Sequence, residues 1–287
     1  MVRVVENTLE SLTELLEALF IPILAIEIIW LWRRGNLKGP RIKEMAANAS
    51  SVLVVVPAGI VGFVLWLSVF DAIDHAVPWS IPTTWATVIV AVLLADFVYY
   101  WEHRFEHTHR LPWDLYHSVH HSSESYDQTT GLRLGAFDAL LTFGYTMPLV
   151  IVGFDPLIAM AATGVVIGYQ TWIHTEVINR MPRWFEAVFN TPSHHRGHHG
   201  AHYPYLDTNY GAVLIVWDRL FGTFQPEIER PAYGLTTQIG TSNPVAIQLS
   251  QLRLLWADLK ADTSWSTRFA RLWRRPGWQP QEVPVAA

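Results

Sequence analysis

The chain has 287 residues, enough for one membrane domain with a soluble cap or for one large soluble domain. Apolar residues make up 51% and charged residues only 16%, against about 25% charged in an average soluble protein, and the 14 tryptophans suit membrane interfaces. A net charge of −5 without a long basic run gives no sign of nucleic-acid binding, and with no cysteine any metal must be held by His, Asp or Glu.

Crossing a bilayer takes about 20 apolar residues, and five segments are candidates. The first, 15–32, holds Glu17, Pro22 and Glu27 but is otherwise apolar. The second, 51–70, carries no charge, and the third, 85–101, is interrupted only by Asp96. The fourth and fifth, 135–154 and 156–173, form a tight pair joined at Gly153–Pro156, with Asp138 near one end. In such a five-span plan every Lys and Arg except Arg3 falls on one side, and the loop 71–84 has none. The excess of Lys and Arg in cytoplasmic loops makes that side cytoplasmic. The predicted fold is therefore all-α: a multi-pass membrane protein of four to five spans, one domain over 1–287, with a cytoplasmic helical cap. A soluble all-α protein with buried helices is the alternative, and the sorting of basic residues argues against it.

Near the C-terminus, the segment 252–275 turns amphipathic. Trp265, Phe269, Leu272 and Trp273 recur at helical spacing, with Arg268, Arg271, Arg274 and Arg275 between and beside them. Such a helix is expected to lie in the headgroup plane, with its arginines toward anionic lipid. Packing of the same apolar face on the cap is the alternative.

Of the 13 histidines, all but His75 lie between His103 and His202. His103 and His107 stand at i, i+4, directly after the third span, and so share one helical face. His117, His120 and His121 repeat the pattern with a third ring, as do His195, His198 and His199, with His194 in front and a lone His174 ending the last apolar segment. Zinc accepts about four ligands, so this many imidazoles call for two metals, and neutral imidazole suits iron, copper, zinc and nickel. Glu106 also completes an H-x-x-E-H pattern, in which it would be the general base of a membrane zinc hydrolase; that reading leaves the second and third clusters without a role. Asp96 lies two turns before His103 and could accept a ligand N–H, fixing the tautomer, or bond to a neighbouring helix instead.

The boxes HxxxH, HxxHH and HxxHH after membrane segments resemble the fatty acid hydroxylase and sterol desaturase superfamily. The resemblance covers roughly 85–245. It includes Asp96, Trp113, the run Asn190 to Arg196, Asp207-x-Asn209-Tyr210-Gly211 and Trp217-Asp218-Arg219. The later part is similar to the alkylglycerol monooxygenase branch, through Tyr169 to Glu176, His194 to Gly200 and Tyr233-Gly-Leu235. It departs from that branch at Thr108, where a Glu is usual, in the extra His109, and in one added residue between His107 and His117.

The resemblance implies an O₂-dependent enzyme with two iron ions, acting on a hydrophobic chain or ring. It implies an external electron donor: a cytochrome, a ferredoxin or a pterin. It also implies a histidine-box core over about 96–225, with His103, His107, His117, His120, His121, His174, His195, His198 and His199 as ligands. Asp96, Asn209 and His194 would act in support, while His109 and His202 stay unassigned. The expected reaction is hydroxylation of a membrane lipid, of fatty acyl, ether or sterol type. Desaturation by the same centre is the first alternative, since both begin by removing hydrogen; a metal-binding membrane protein without catalysis is another.

Overall fold

The computed structural model describes residues 2–280, and among these every regular element is a helix, with two isolated bridges and no strand. Helix α1 (Val2–Ala18) runs almost directly into α2 (Phe20–Arg33), and α3 (Gly39–Ser50) into α4 (Val52–Ala76). Helix α5 (Trp85–Thr108) carries the first histidine pair on its last turns. The long apolar helices over 7–33, 39–76 and 85–108 are each long enough to cross a membrane. Their outward faces are apolar and uncovered, with Leu53, Ile60, Val61, Val64 and Ile89 all exposed. A face of this kind belongs in hydrocarbon rather than in water.

The two spans expected at 135–154 and 156–173 take another form. The first is broken into three short helices, Ala136–Leu141, Thr142–Thr146 and Met147–Val152. Close packing on α4 accounts for the break. Trp66 of α4 donates its indole N–H to the Leu140 carbonyl at 3.0 Å, drawing that carbonyl toward the neighbouring helix. Gly144 lies so close to the same indole that a Cβ there would meet it at 2.6 Å. The second, Pro156–Tyr169, has 14 residues, about 21 Å at a helical rise of ~1.5 Å per residue, short of the ~30 Å hydrocarbon core. It packs between α1 and α5 rather than facing outward.

The hairpin turn lies at the end of the bundle away from the histidines. There the Ile81 N–H donates to the Gly153 carbonyl at 2.7 Å, and the Trp79 indole to the Val152 carbonyl at 3.2 Å. Gly153 takes φ +105°, a conformation that glycine adopts without cost. At the opposite end the cap forms from 109–135 and 170–280.

Glu27 ties the first apolar helix to that cap. It is fully buried and accepts from the Thr175 hydroxyl at 2.7 Å, the Glu176 N–H at 3.2 Å and the Gln128 N–H. A carboxylate inside an apolar helix is costly unless it is fully hydrogen-bonded, and here it joins α2 to the loop that holds His174. Glu27→Ala would leave buried donors without an acceptor, at a cost on the order of 2–3 kcal/mol. The expected result is a lower melting temperature in detergent, with loss of bound metal ahead of global unfolding.

The amphipathic segment splits into two helices, Pro244–Ala261 and Trp265–Trp273. Trp265 and Phe269 do face outward, at 81% and 62% exposure. The expected four-arginine lipid anchor does not form, because Arg271 turns inward. It is buried and pairs with Asp262 at 2.5 Å and Asp258 at 3.4 Å. Trp273 packs on Phe105 and His109, so the segment is partly built into the cap.

Candidate metal centre

Four segments bring the imidazoles together. The end of α5 offers His103 and His107. The helical run 110–121, with a π-helical turn at Trp113–His117, offers His117, His120 and His121. The helix Pro192–His198 and its C-terminal cap supply His195, His198 and His199, and His174 arrives from the loop after Gln170–Trp172. The nine residues form two groups. One is His103, His107, His117, His121 and His198; the other is His120, His174, His195 and His199. Within each group the ligand atoms all lie within 4.8 Å of one another.

The partition follows helical geometry. Each box sends its i, i+4 pair to a single group: His103 and His107, His117 and His121, His195 and His199. The third ring of the second and third boxes, His120 and His198, then points across to the other group. The two groups touch, His121 stacking on His199 with ring centroids 4.4 Å apart.

The hydrogen bonds fix the tautomers. His103 Nδ1 lies 2.9 Å from the Tyr210 carbonyl and His198 Nδ1 2.8 Å from the Thr208 carbonyl. His120 and His174 make the same contact, both at 3.3 Å, with the Arg133 and Gln170 carbonyls. His117 Nδ1 lies 2.9 Å from Glu106 Oε2. A neutral ring that donates from Nδ1 has only a lone pair at Nε2. Yet His120 Nε2 and His174 Nε2 stand 3.3 Å apart, and His103 Nε2 and His117 Nε2 3.2 Å apart. No proton is left to bridge either pair. His121 Nε2 and His198 Nε2 are buried with no hydrogen-bond partner. Converging, unpartnered lone pairs of this kind fit a divalent cation in each group.

Burial keeps the rings neutral and ready to ligate. It holds His117, His120 and His174 down from the ordinary 6.5 to about 3. His121, His195, His198 and His199 are also held well below 6.5, first by burial and then by their histidine neighbours.

A second layer of buried polar contacts holds the loops. Arg133 is fully buried and donates to Glu44 at 2.6 Å, Asn48 at 2.9 Å and Ser122 Oγ at 2.9 Å. Arg196 donates to both oxygens of Glu227 and to the Thr175 and Ile178 carbonyls. Asp218 accepts from the N–H groups of Tyr210 and Gly211, both at 2.8 Å.

Asp96 and Asn209 act on the rings at one remove, through the backbone. Asp96 reaches no imidazole. Its oxygens accept from the Val213 and Leu214 N–H groups and the Trp217 indole, because the 211–217 segment presents donors across the helix face that Asp96 occupies. Asn209, at φ +60°, donates to the His194 and Gln225 carbonyls. It stands between Thr208 and Tyr210, whose carbonyls orient His198 and His103, so it positions the rings through the backbone. His194 stays outside both groups, its ring against Phe224. His109 packs on Phe105, and His202 lies 3.8 Å from Glu229 at the surface. Glu27 and Arg133 were not singled out from the sequence. A carboxylate in an apolar helix was the one available signal.

Two cavities meet at the centre. One, of about 250 Å³, is lined by His103, His117, His120, His174 and His195 together with residues of the apolar helices such as Phe20, Val98 and Val166. The other, of about 750 Å³, is lined by His107, His121 and His198 and runs to Arg275 and Gln279 in the cap.

Residues 88–223 match the family model described as "Fatty acid hydroxylase", and the chain belongs to that family. Over 203 residues it is 39% identical to human alkylglycerol monooxygenase, covering 71% of this chain and 44% of the relative. Against the Xenopus tropicalis alkylglycerol monooxygenase the identity is 34% over 262 residues, 90% of this chain and 57% of the relative. An ornithine lipid hydroxylase of Rhizobium tropici is 30% identical over 161 residues, 55% and 46% of the two chains. The chain thus spans about half the length of these curated relatives. No solved structure matches.

The depressed histidines give a direction for pH. In the unfolded chain they take up protons below about 6.5, while the folded protein resists until about 3. The folded state therefore loses stability as pH falls through that window, and protons also displace the metal. Bound metal and melting temperature, followed from pH 7.5 to pH 4, are expected to fall together below about 6.5 and to stay level above it.

Proposed function

We propose that the chain is an O₂-dependent oxidase that hydroxylates a membrane lipid, using two iron ions. His103, His107, His117, His121 and His198 would hold one, and His120, His174, His195 and His199 the other. The observation that carries this reading is the convergence of imidazole lone pairs at the inner end of a cavity lined by apolar helices. Breaking an unactivated C–H bond is beyond amino-acid side chains, and iron with O₂ supplies that chemistry when bound. The residues hold the metals, orient the lipid and keep water out. Relatives named for lipid oxidation, the alkylglycerol monooxygenases and an ornithine lipid hydroxylase, support a lipid substrate.

The two cavities favour a division of labour. The lipid reaches His103, His117, His120, His174 and His195 from the apolar side, and reducing equivalents reach His107, His121 and His198 from the cap. An external cytochrome, ferredoxin or pterin would supply them. Asp96 and Asn209 serve as positioning residues. The zinc hydrolase reading is less well supported: Glu106 Oε2 is occupied by His117 Nδ1 at 2.9 Å instead of facing a lone metal.

The purified protein is expected to bind about two irons per chain. Incubation with ¹⁸O₂, a reductant and a lipid extract is expected to place label in the product. A new double bond without label would assign a desaturase, and an unlabelled hydrolysis product with one zinc per chain would sink the oxidase. Replacing His120 or His198 by Ala is expected to cut turnover by more than about a hundredfold, while His75→Ala, at an exposed site beside Asp71, is silent.

We also propose that the cap faces the cytoplasm. Basic residues gather at that end, and the loop 71–84 at the other end has none. A reporter after Ser80 should read as extracytoplasmic and one after Gln279 as cytoplasmic. The reverse pattern would turn the whole centre outward.

A further inference from the structure

The uncovered apolar face of α5 does not end where the cap begins. Ile89, Leu93, Phe97 and Trp101 follow one another at i, i+4 along one side of the helix, and Ile89, Leu93 and Trp101 are exposed. Trp85 and Trp101 are the exposed tryptophans at the two ends of this face, about 24 Å apart at a rise of ~1.5 Å per residue. That separation is close to the ~30 Å hydrocarbon core, and tryptophan favours the two edges of that layer. Trp101 therefore marks the membrane edge on the cap side.

Two short helices of the cap reach down to this edge. In Val216–Phe221 the Trp217 and Phe221 rings pack on Phe97, with centroids 5.1 and 6.3 Å away, and Phe221 also lies 4.9 Å from Trp101. Leu220, on the same helix, is 65% exposed. The helix Arg183–Glu186 adjoins it. The Ile215 N–H donates to the Val188 carbonyl at 3.0 Å, and the Arg219 guanidinium to the Glu186 carbonyl at 3.1 Å. Trp184 and Val188, one turn apart, are exposed as well. Asp96 of α5 fixes the pair in place, because its carboxylate is spent on the Val213 and Leu214 N–H groups and the Trp217 indole. The two helices are thus a rigid extension of α5 and not a loose flap.

A lid bathed in water would turn polar side chains outward here. These helices turn out Trp184, Val188, Leu220 and Phe221, with Arg183 and Arg219 exposed beside them. Apolar and aromatic residues flanked by arginine suit the boundary between headgroups and acyl chains, where the rings meet hydrocarbon and the guanidinium groups meet phosphate.

We propose that the helices Arg183–Glu186 and Val216–Phe221 form a shelf immersed in the leaflet on the cap side. The partner is the bilayer itself, because the patch continues the lipid-facing side of α5 through the contact of Trp101 with Phe221. The cap is then partly embedded, and Asp96 sets its depth. The inference depends on neither the metals nor the reaction.

The test uses the full chain in vesicles of phosphatidylcholine and phosphatidylglycerol. The chain has no cysteine, so a nitroxide on a single introduced cysteine reports one site. Collisions of the label are measured with O₂, which concentrates in lipid, and with a nickel chelate, which stays in water. S80C, on the loop 71–84, supplies the aqueous reference, and I60C, on the uncovered face of α4, the hydrocarbon reference. The labels of V188C and L220C are expected to favour O₂ over the chelate, between the two references, at a depth of about 5–10 Å below the phosphates. An unchanged melting temperature in detergent shows that each labelled variant is folded, and A187C, exposed next to Val188, serves as a further site on the shelf. Chelate access at position 188 or 220 equal to that of S80C would overturn the proposal. A label shielded from both probes would overturn it too, in favour of a protein partner or a second copy of the chain.

Discussion

Everything in the cap serves one electrostatic constraint: lone pairs of neutral imidazoles are made to face each other in a buried space. Left alone, such an arrangement is repulsive, because His120 and His174 both commit their Nδ1 hydrogens to carbonyls and meet at Nε2. A cation in each group, as proposed above, would turn the repulsion into attraction. Metal binding would then be coupled energetically to the final packing of the cap. The carbonyls of Thr208, Tyr210, Gln170 and Arg133 do as much for the centre as the rings, because they decide which nitrogen is free.

The polar layer beneath explains why those carbonyls are rigid. Arg133 holds the carbonyl side of His120 while its guanidinium is buried among Glu44, Asn48 and Ser122. Arg196 cross-links Glu227 to the loop after His174. Asp218, Asp96 and Asn209 together clamp 208–217, where the His103 and His198 acceptors lie. Removing one member of such a network leaves its partners buried and unsatisfied, which costs more than the contact contributes by itself. The amphipathic C-terminal helix joins this scaffold through Arg271 instead of leaving all its arginines to lipid.

The membrane-facing half supplies access. Three long apolar helices and the shorter hairpin enclose a cavity that ends at five of the histidines, so a lipid can approach from the hydrocarbon side without crossing the polar cap. The second, larger cavity opens from His107, His121 and His198 into the cap. Placing the centre between an apolar and an aqueous approach suits a reaction that joins a water-insoluble substrate to soluble reductant.

Periodicity and composition alone determined much of this. Long uncharged runs must be helices in lipid, since no other open structure satisfies the backbone there, and the absence of cysteine left histidine as the ligand. Rings at i, i+4 had to share a face, so the three boxes were legible as a metal-binding set. Tertiary structure decided the rest. The division of nine rings into five and four depends on how α5, the 110–121 run and the Pro192–His198 helix cross, and no spacing within one box encodes a crossing angle. The hairpin 135–169 read as two spans because hydropathy registers apolarity, while the contact of Trp66 with Leu140 and Gly144 that breaks the helix joins residues far apart in the chain. Asp96, Asn209, Glu27 and Arg133 were ambiguous in the sequence for the same reason: a buried polar side chain takes its role from the donors and acceptors that folding brings to it.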